Sequence, residues 1–312
     1  MKNVILQMAP VPMQLTLRLQ QHFTLFNYAQ LTKEQQAELI PLVRVLLVNG
    51  ETPLDDTTMA RYPNLQLIAV FGVGYERIDA NATYKRNIQI SNTPGVLTDD
   101  VADLAFGLML ACSRQIVGAQ RFIERGDWAS QSYPWTNKVS GSRLGILGLG
   151  RIGRAIALRA SAFNMSVYYH NRTRHADFAE EYCATPQALA THCDFLVVCA
   201  PGGENSRALV NAEVLQALGP AGILINIARG SVVDEVALVH AIEHKLIAGA
   251  GLDVFCDEPN VPAALLQRDN VVITPHMGSA TQSTRKAMSD LVYENISAYF
   301  AGKPLLTPAD KP

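Results

Sequence analysis

Between Arg143 and Ala162 the chain runs from a short apolar stretch through Gly148-Leu149-Gly150-Arg151-Ile152-Gly153 into an amphipathic segment. A G-x-G-x-x-G turn placed between a strand and a helix constrains the fold more than any other stretch here. The first glycine permits a tight turn, the second lets a pyrophosphate approach the backbone, and the third lets the helix lie close on the strand. The helix start then presents unpaired N–H groups and the positive end of its dipole. The spacing therefore implies a parallel sheet that binds a dinucleotide, with Gly148, Gly150, Arg151, Ile152 and Gly153 at the phosphates.

The surrounding patterning supports an α/β protein, because short β-type runs alternate with helical periodicities along the whole length. Before residue 99, strands are expected at Val4–Met8, Val43–Val48, Leu67–Phe71 and Ile88–Asn92, with helices at Pro12–Gln21, Lys33–Ile40 and Ile78–Arg86. Asp99 to Arg125 reads as one long helix. Six strands follow, at Arg143–Leu147, Ser166–His170, Phe195–Cys199, Ile223–Ile227, Ala250–Val254 and Val271–Ile273. Helices are expected between them at Ile152–Ala162, Pro186–His192, Asn211–Leu218 and Asp234–His244, and a last one at Thr281–Phe300. The tail from Leu305 is expected to have no partner. Because the phosphate turn begins so late, the expectation is two doubly wound parallel-sheet domains. A Rossmann nucleotide domain, residues 99–281, is inserted into a smaller flavodoxin-like substrate domain, residues 1–98 and 282–312.

Composition narrows the function classes. A length of 312 residues suits two domains, and a net charge of −2 leaves no basic excess for counterion-driven nucleic-acid binding. No apolar run approaches the ~18 residues of a membrane span, and the first residues are too short for a secretory signal. The five cysteines are scattered without a C-x-x-C, which fits a reducing, cytoplasmic setting.

An NAD site usually places an acid about 20 residues after the glycines, on the ribose 2′-hydroxyl. Here that place reads Asn171-Arg172-Thr173-Arg174. Arg172 suits a 2′-phosphate, with Asn171 and Thr173 as neutral donors. NADP(H) is the expected cofactor, with NAD(H) a weaker alternative. Hydride transfer to a keto acid also needs a cation, a proton donor and a group that keeps the donor protonated. Arg229, His276 and Glu258 each follow a strand of the nucleotide domain, at the end where dinucleotides lie. A carboxylate bonded to a histidine raises its pKa, so Glu258 suits His276.

Phe71-Gly72-Val73-Gly74-Tyr75, Asn92 to Asp103, Gly145 to Gly153, Ile225 to Gly230, Gly249 to Phe255 and Pro275-His276 occur in one register. On these stretches the chain resembles the D-isomer-specific 2-hydroxyacid dehydrogenase family from end to end, above all its glyoxylate/hydroxypyruvate and hydroxyphenylpyruvate reductases. The resemblance implies that Arg229, Glu258 and His276 are the catalytic set, with His276 the proton donor. It implies that Val73 and Gly74 hold the substrate carboxylate with Arg229, and that Asp253 meets the nicotinamide. Ala200, Pro201, Ile227, Ala228 and Gly278 complete the expected cofactor contacts, with a small 2-keto or 2-hydroxy acid as substrate and a homodimer as the assembly. Two departures stand out: Asn171-Arg172 in place of the acid, matching the NADPH-using branch, and Gly202-Gly203 where relatives often carry Leu-Thr.

Three other readings belong beside this one. His240-Ala241-Ile242-Glu243-His244 has an H-x-x-E-H spacing, but Val236, Val239, Ile242 and Leu246 are expected to form a buried stripe that makes it an ordinary crossover helix. No metal site is expected. Trp135 is either core or a lid that reaches a partner subunit's pocket. A 2-ketogluconate or other 2-keto acid reductase, or a dinucleotide-sensing protein of the same fold, are the rival functions.

Overall fold

The computed structural model describes residues 3–309, so the expectations that touch Met1, Lys2 and residues 310–312 lie outside the described residues. The chain divides into two units, Met1–Leu97 with Ser279–Pro312, and Thr98–Gly278. The second is thus inserted into the first. These limits differ from the expected ones by one residue at the first junction and three at the second.

The first unit holds five parallel strands, β1 (Val4–Gln7), β2 (Thr24–Asn27), β3 (Val43–Asn49), β4 (Leu67–Phe71) and β5 (Gln89–Ser91), in the order β2-β1-β3-β4-β5. That is the flavodoxin-like order. Its helices α1 (Met13–His22), α2 (Lys33–Leu39), α3 (Asp56–Ala60) and α4 (Ala80–Lys85) cover the sheet. Every residue of β4 is buried, as a parallel strand covered on both faces requires. Strand β2 and helix α3 are absent from the sequence expectation. All four β2 residues are only half-buried, so no continuous apolar run marks an edge strand. The five-residue α3 is too short for a helical period to show.

The second unit opens with α5 (Thr98–Ser113) and α6 (Ile116–Glu124), where one helix from Asp99 to Arg125 is expected. The two axes are bent by 53°, and Gln115 at the break has a left-handed φ of 47°. No single helix among the described residues is long and apolar enough to cross a membrane. In α5, Val101, Ala102, Ala105, Leu108, Met109 and Cys112 are buried, so its apolar character serves the core.

The second sheet is also all parallel and has seven strands rather than six. They are β6 (Arg143–Leu147), β7 (Ser166–His170), β8 (Glu181–Tyr182), β9 (Phe195–Val198), β10 (Ile223–Asn226), β11 (Gly249–Leu252) and β12 (Val271–Ile273), ordered β12-β11-β10-β9-β6-β7-β8. The first six positions of the dinucleotide-binding order are recognisable, read outward from β6. The unexpected β8 is a two-residue edge strand, held by Tyr168 and Tyr169 of β7. Crossovers α7 (Arg151–Ala162), α8 (Pro186–Thr191), α9 (Ala212–Leu218) and α10 (Glu235–Glu243) connect the strands.

In α10 the buried residues are Leu238, Ala241 and Ile242, whereas Val236 is exposed and Leu246 borders on exposure. The expected stripe is therefore rotated: of its four residues only Ile242 is fully buried, and Leu238 and Ala241 join it in the core. The His240 and His244 rings stack with centroids 4.0 Å apart on that helix.

The last helix, α11 (Gln282–Phe300), belongs to the first unit. Its Asp290 pairs with Arg18 of α1 at 2.6 Å, and the Arg18 guanidinium lies 3.8 Å from the Tyr293 ring centroid. The tail after it does have partners, contrary to expectation. Thr307 accepts from Asn295 Nδ2 at 2.8 Å and donates to Asn92 O at 2.7 Å, and Ala309 N–H donates to Ile90 O. The free edge of β5 supplied carbonyls that a sequence pattern does not display.

Candidate active site

The phosphate turn is built as its glycines require. Gly148 has φ +102°, and a Cβ there would lie 2.5 Å from Ala200 N; one on Gly153 would lie 2.4 Å from Gly148 O. A Cβ on Gly150 would instead meet nothing within 4 Å. Gly150 caps α7 without a side-chain bond, so no cap side chain takes the N–H groups at the positive end of this twelve-residue helix. Such a cradle, closed behind and open in front, fits a pyrophosphate.

Beyond β7 the structure adds to one assignment. Asn171 Oδ1 accepts from Leu149 N–H at 2.7 Å, inside the phosphate turn, and Asn171 Nδ2 lies 2.6 Å from His175 Nε2. Its oxygen and one N–H thus serve as a strut between β7 and the phosphate turn, and its second N–H is the one left to act as a donor. Arg172, Thr173 and Arg174 are exposed, and neither arginine is tied to a carboxylate among the described residues. Arg154 nearby is different, being paired with Asp177 at 3.0 Å. After β9, Ala200 is buried against Gly148, and Ser206 donates to Pro201 O at 2.6 Å, which closes the Gly202-Gly203 loop on itself.

The three candidate catalytic residues occupy adjoining loops of this unit. Asn226, buried at the end of β10, donates through Nδ2 to Arg229 O and accepts from Ala228 N–H. It folds Ile227-Ala228-Arg229 into a tight turn. A Cβ on Gly230 would lie 2.0 Å from Phe255 C, so this glycine alone lets the Arg229 turn rest on the segment leading to Glu258. There Glu258 Oε1 accepts from Phe255 N–H at 3.0 Å, and Oε2 lies 2.7 Å from His276 Nδ1. With the carboxylate ionised, Nδ1–H is the donor and Nε2 remains for chemistry.

His276 itself has a φ of 48°, rare for a residue with a Cβ. The buried Asp253 holds that conformation. Its Oδ1 accepts from Thr274 Oγ1–H at 2.6 Å and Met277 N–H at 2.8 Å, its Oδ2 from Gly278 N–H at 2.9 Å, and its main-chain O from His276 N–H. Asp253 and Gly278, expected at the cofactor, are bonded to each other. Asn226 and this use of Asp253 escaped the sequence reading; the one available signal was a polar residue at the end of an otherwise apolar strand.

The bond to Glu258 raises the His276 pKa, against burial and the positive Arg229, which lower it. For Glu258, burial acts to raise the pKa, but the bonds from His276 and Phe255 N–H and the charges of His276 and Arg229 outweigh it and leave it lowered. The arrangement is a cation beside a histidine whose protonated form a carboxylate favours. It can donate a proton next to an anionic substrate.

In the first unit, Val73 and Gly74 N–H donate to no protein group among the described residues, while Asn92 Nδ2 holds Val73 O at 2.8 Å. The two amides are therefore free for an anion. Trp135 is fully exposed, which excludes the core reading. Among the described residues no group of three or more His, Cys, Asp or Glu side chains is placed to hold a metal.

The sequence matches the D-isomer specific 2-hydroxyacid dehydrogenase, NAD binding domain, over residues 106–278. The chain belongs to the D-isomer-specific 2-hydroxyacid dehydrogenase family. It is 42% identical to hydroxyphenylpyruvate reductase of Plectranthus scutellarioides, over 97% of this chain and 98% of that protein. It is 42% identical to 2-ketogluconate reductase of Gluconobacter oxydans, over 98% of each. The NADPH-dependent glyoxylate/hydroxypyruvate reductase of Sinorhizobium meliloti, solved with NADP and malonate, superposes with a TM-score of 0.92 at 40% identity, covering 100% of this chain and 98% of that one. As a member of this family the chain is an oxidoreductase with a nucleotide-binding Rossmann unit.

Proposed function

We propose that the protein reduces small 2-keto acids, glyoxylate and hydroxypyruvate foremost, to D-2-hydroxy acids with NADPH. The observation that carries the proposal is the 2.7 Å contact between His276 Nδ1 and Glu258 Oε2 beside the Arg229 turn. When bound, the reduced nicotinamide supplies the hydride. His276 delivers the proton to the carbonyl oxygen from Nε2, and Glu258 stabilises the imidazolium until it does so. Arg229 draws electron density toward that oxygen and orients the substrate. The amides of Val73 and Gly74 take the substrate carboxylate, and Arg172 with Thr173 takes the 2′-phosphate.

The names of the relatives in Plectranthus, Gluconobacter and Sinorhizobium support the 2-keto acid class, and the last supports NADPH. The Gluconobacter relative also favours 2-ketogluconate as a second substrate reading. The test is a panel of glyoxylate, hydroxypyruvate, hydroxyphenylpyruvate and 2-ketogluconate, each with NADPH and NADH. Turnover of glyoxylate and hydroxypyruvate with NADPH supports the proposal. Absence of turnover with any acid overturns it in favour of a dinucleotide sensor.

We also propose a homodimer, supported by exposed Ile116, Ile123, Trp128 and Trp135 on α6 and the loop after it. Sedimentation at the mass of one chain would refute it.

A further inference from the structure

Nothing in the proposed reaction says what recognises the substrate beyond its keto carbon. In the first unit, Arg285 stands in the opening turn of α11, next to Thr284, whose hydroxyl bonds Val96 O. Its guanidinium lies over the ring of Phe71, 5.6 Å from the centroid. Phe71 ends β4 and leads directly into Gly72-Val73-Gly74, so Arg285 and the two free amides share the carboxyl-end rim of one sheet.

Arg285 is half-buried, yet its guanidinium has no carboxylate and no hydrogen-bond acceptor among the described residues. Other arginines of this unit are tied down: Arg18 by Asp290 at 2.6 Å and Arg86 by Asp56 at 2.6 Å. Burial with no compensating acid pushes the Arg285 pKa down. A desolvated cation without a counter-charge is costly, and the cost is relieved when a ligand supplies the anion. The N-terminus of the nineteen-residue α11 adds positive potential at the same place.

We propose that Arg285 is a second substrate-binding group of the first unit, which takes an oxygen carried on the carbon beyond the keto group. The preferred substrates are then 2-keto acids with a hydroxyl or carboxylate at that position, hydroxypyruvate rather than pyruvate. This rests on the reading of the protein as a 2-keto acid reductase.

The test compares wild type with Arg285→Gln and Arg285→Lys at saturating NADPH. The ratio of kcat/KM for hydroxypyruvate over pyruvate, which differ by one hydroxyl, falls about 10- to 100-fold in Arg285→Gln and is partly restored in Arg285→Lys. Equal losses on both acids, or no loss on either, overturn the proposal. A readout independent of turnover is the rise in melting temperature of the NADPH complex with malonate against acetate. Malonate stabilises wild type more, and the difference disappears in Arg285→Gln; its persistence overturns the proposal. A lower melting temperature of ligand-free Arg285→Gln with both differences intact assigns Arg285 to structure alone and also overturns it. Absence of wild-type turnover is failure of the reductase reading, and the malonate comparison still decides Arg285.

Discussion

At His276 the backbone takes a left-handed φ that costs about 1–2 kcal/mol for a residue with a Cβ. The carboxylate of Asp253 offsets that cost through three bonds to the surrounding loop. Replacing His276 by Gln is expected to lower turnover by about 10²–10⁴ with little change in NADPH affinity, read by steady-state kinetics and by titration of cofactor fluorescence. The pH dependence follows from the shift directions. As the proposed proton donor His276 has to be protonated for reduction, so the rate is expected to stay high above the ordinary histidine value of 6.5 and to fall as pH rises through the raised pKa. In Glu258→Gln the raising bond is weakened, and this alkaline limb moves to lower pH; an unmoved limb would show that Glu258 does not tune His276. The same pair stabilises the fold most between the ordinary carboxylate value of 4.5 and 6.5. That contribution is lost as pH rises through the raised His276 pKa or falls through the lowered Glu258 pKa. Arg172→Ala is expected to raise KM for NADPH while sparing NADH, and an equal effect on both would detach Arg172 from the 2′-phosphate. The positions of Arg229, Glu258 and His276 after strands β10, β11 and β12 were legible because those strands carry clear apolar runs.

Among the elements, the break between α5 and α6 shows where periodicity misleads. Apolar spacing continues from Val101 to Ile123, so one helix is the natural expectation, yet Gln115 turns left-handed and the chain bends. Tertiary contacts decide it: Ser113 Oγ–H donates to Asn137 O, and the Tyr133 ring packs edge-on against Phe122 at 5.2 Å. Gln115→Gly is expected to change stability by less than about 1 kcal/mol, measured by urea denaturation, because the Cβ penalty relieved at this φ is offset by loss of the bond from Tyr133 Oη–H to Gln115 Oε1 at 3.1 Å. The strut between β7 and the phosphate turn gives a second expectation at this scale. Asn171→Ala removes the acceptor of Leu149 N–H, so KM rises for NADPH and NADH alike, in contrast to Arg172→Ala. The short edge strands β2 and β8 and helix α3 were invisible for a simple reason: two to five half-exposed residues carry no period that distinguishes strand, helix and loop.

Over the whole molecule, saturation with NADPH at 100 times its Kd is expected to stabilise the native protein by about 2.7 kcal/mol, observed as a rise in calorimetric melting temperature. Near-neutral net charge does not show that Arg151, Arg172, Arg174 and Arg229 each follow a strand of one parallel sheet, after β6, β7 and β10. The glycine spacing, the alternation of strands with helices and the strand-end positions of Arg229, Glu258 and His276 are properties of the linear chain. They specified an inserted dinucleotide-binding unit and the strand ends that carry its candidate residues, because backbone turns and strand periods are local. Only the tertiary structure decided that Asp253 shapes the loop of His276, that Asn171 is a strut, that the tail closes on β5 and that Arg285 is half-buried without a counter-charge. Each of those depends on which polar group finds a partner across the fold, and a partner many residues away leaves no mark in the sequence around either one.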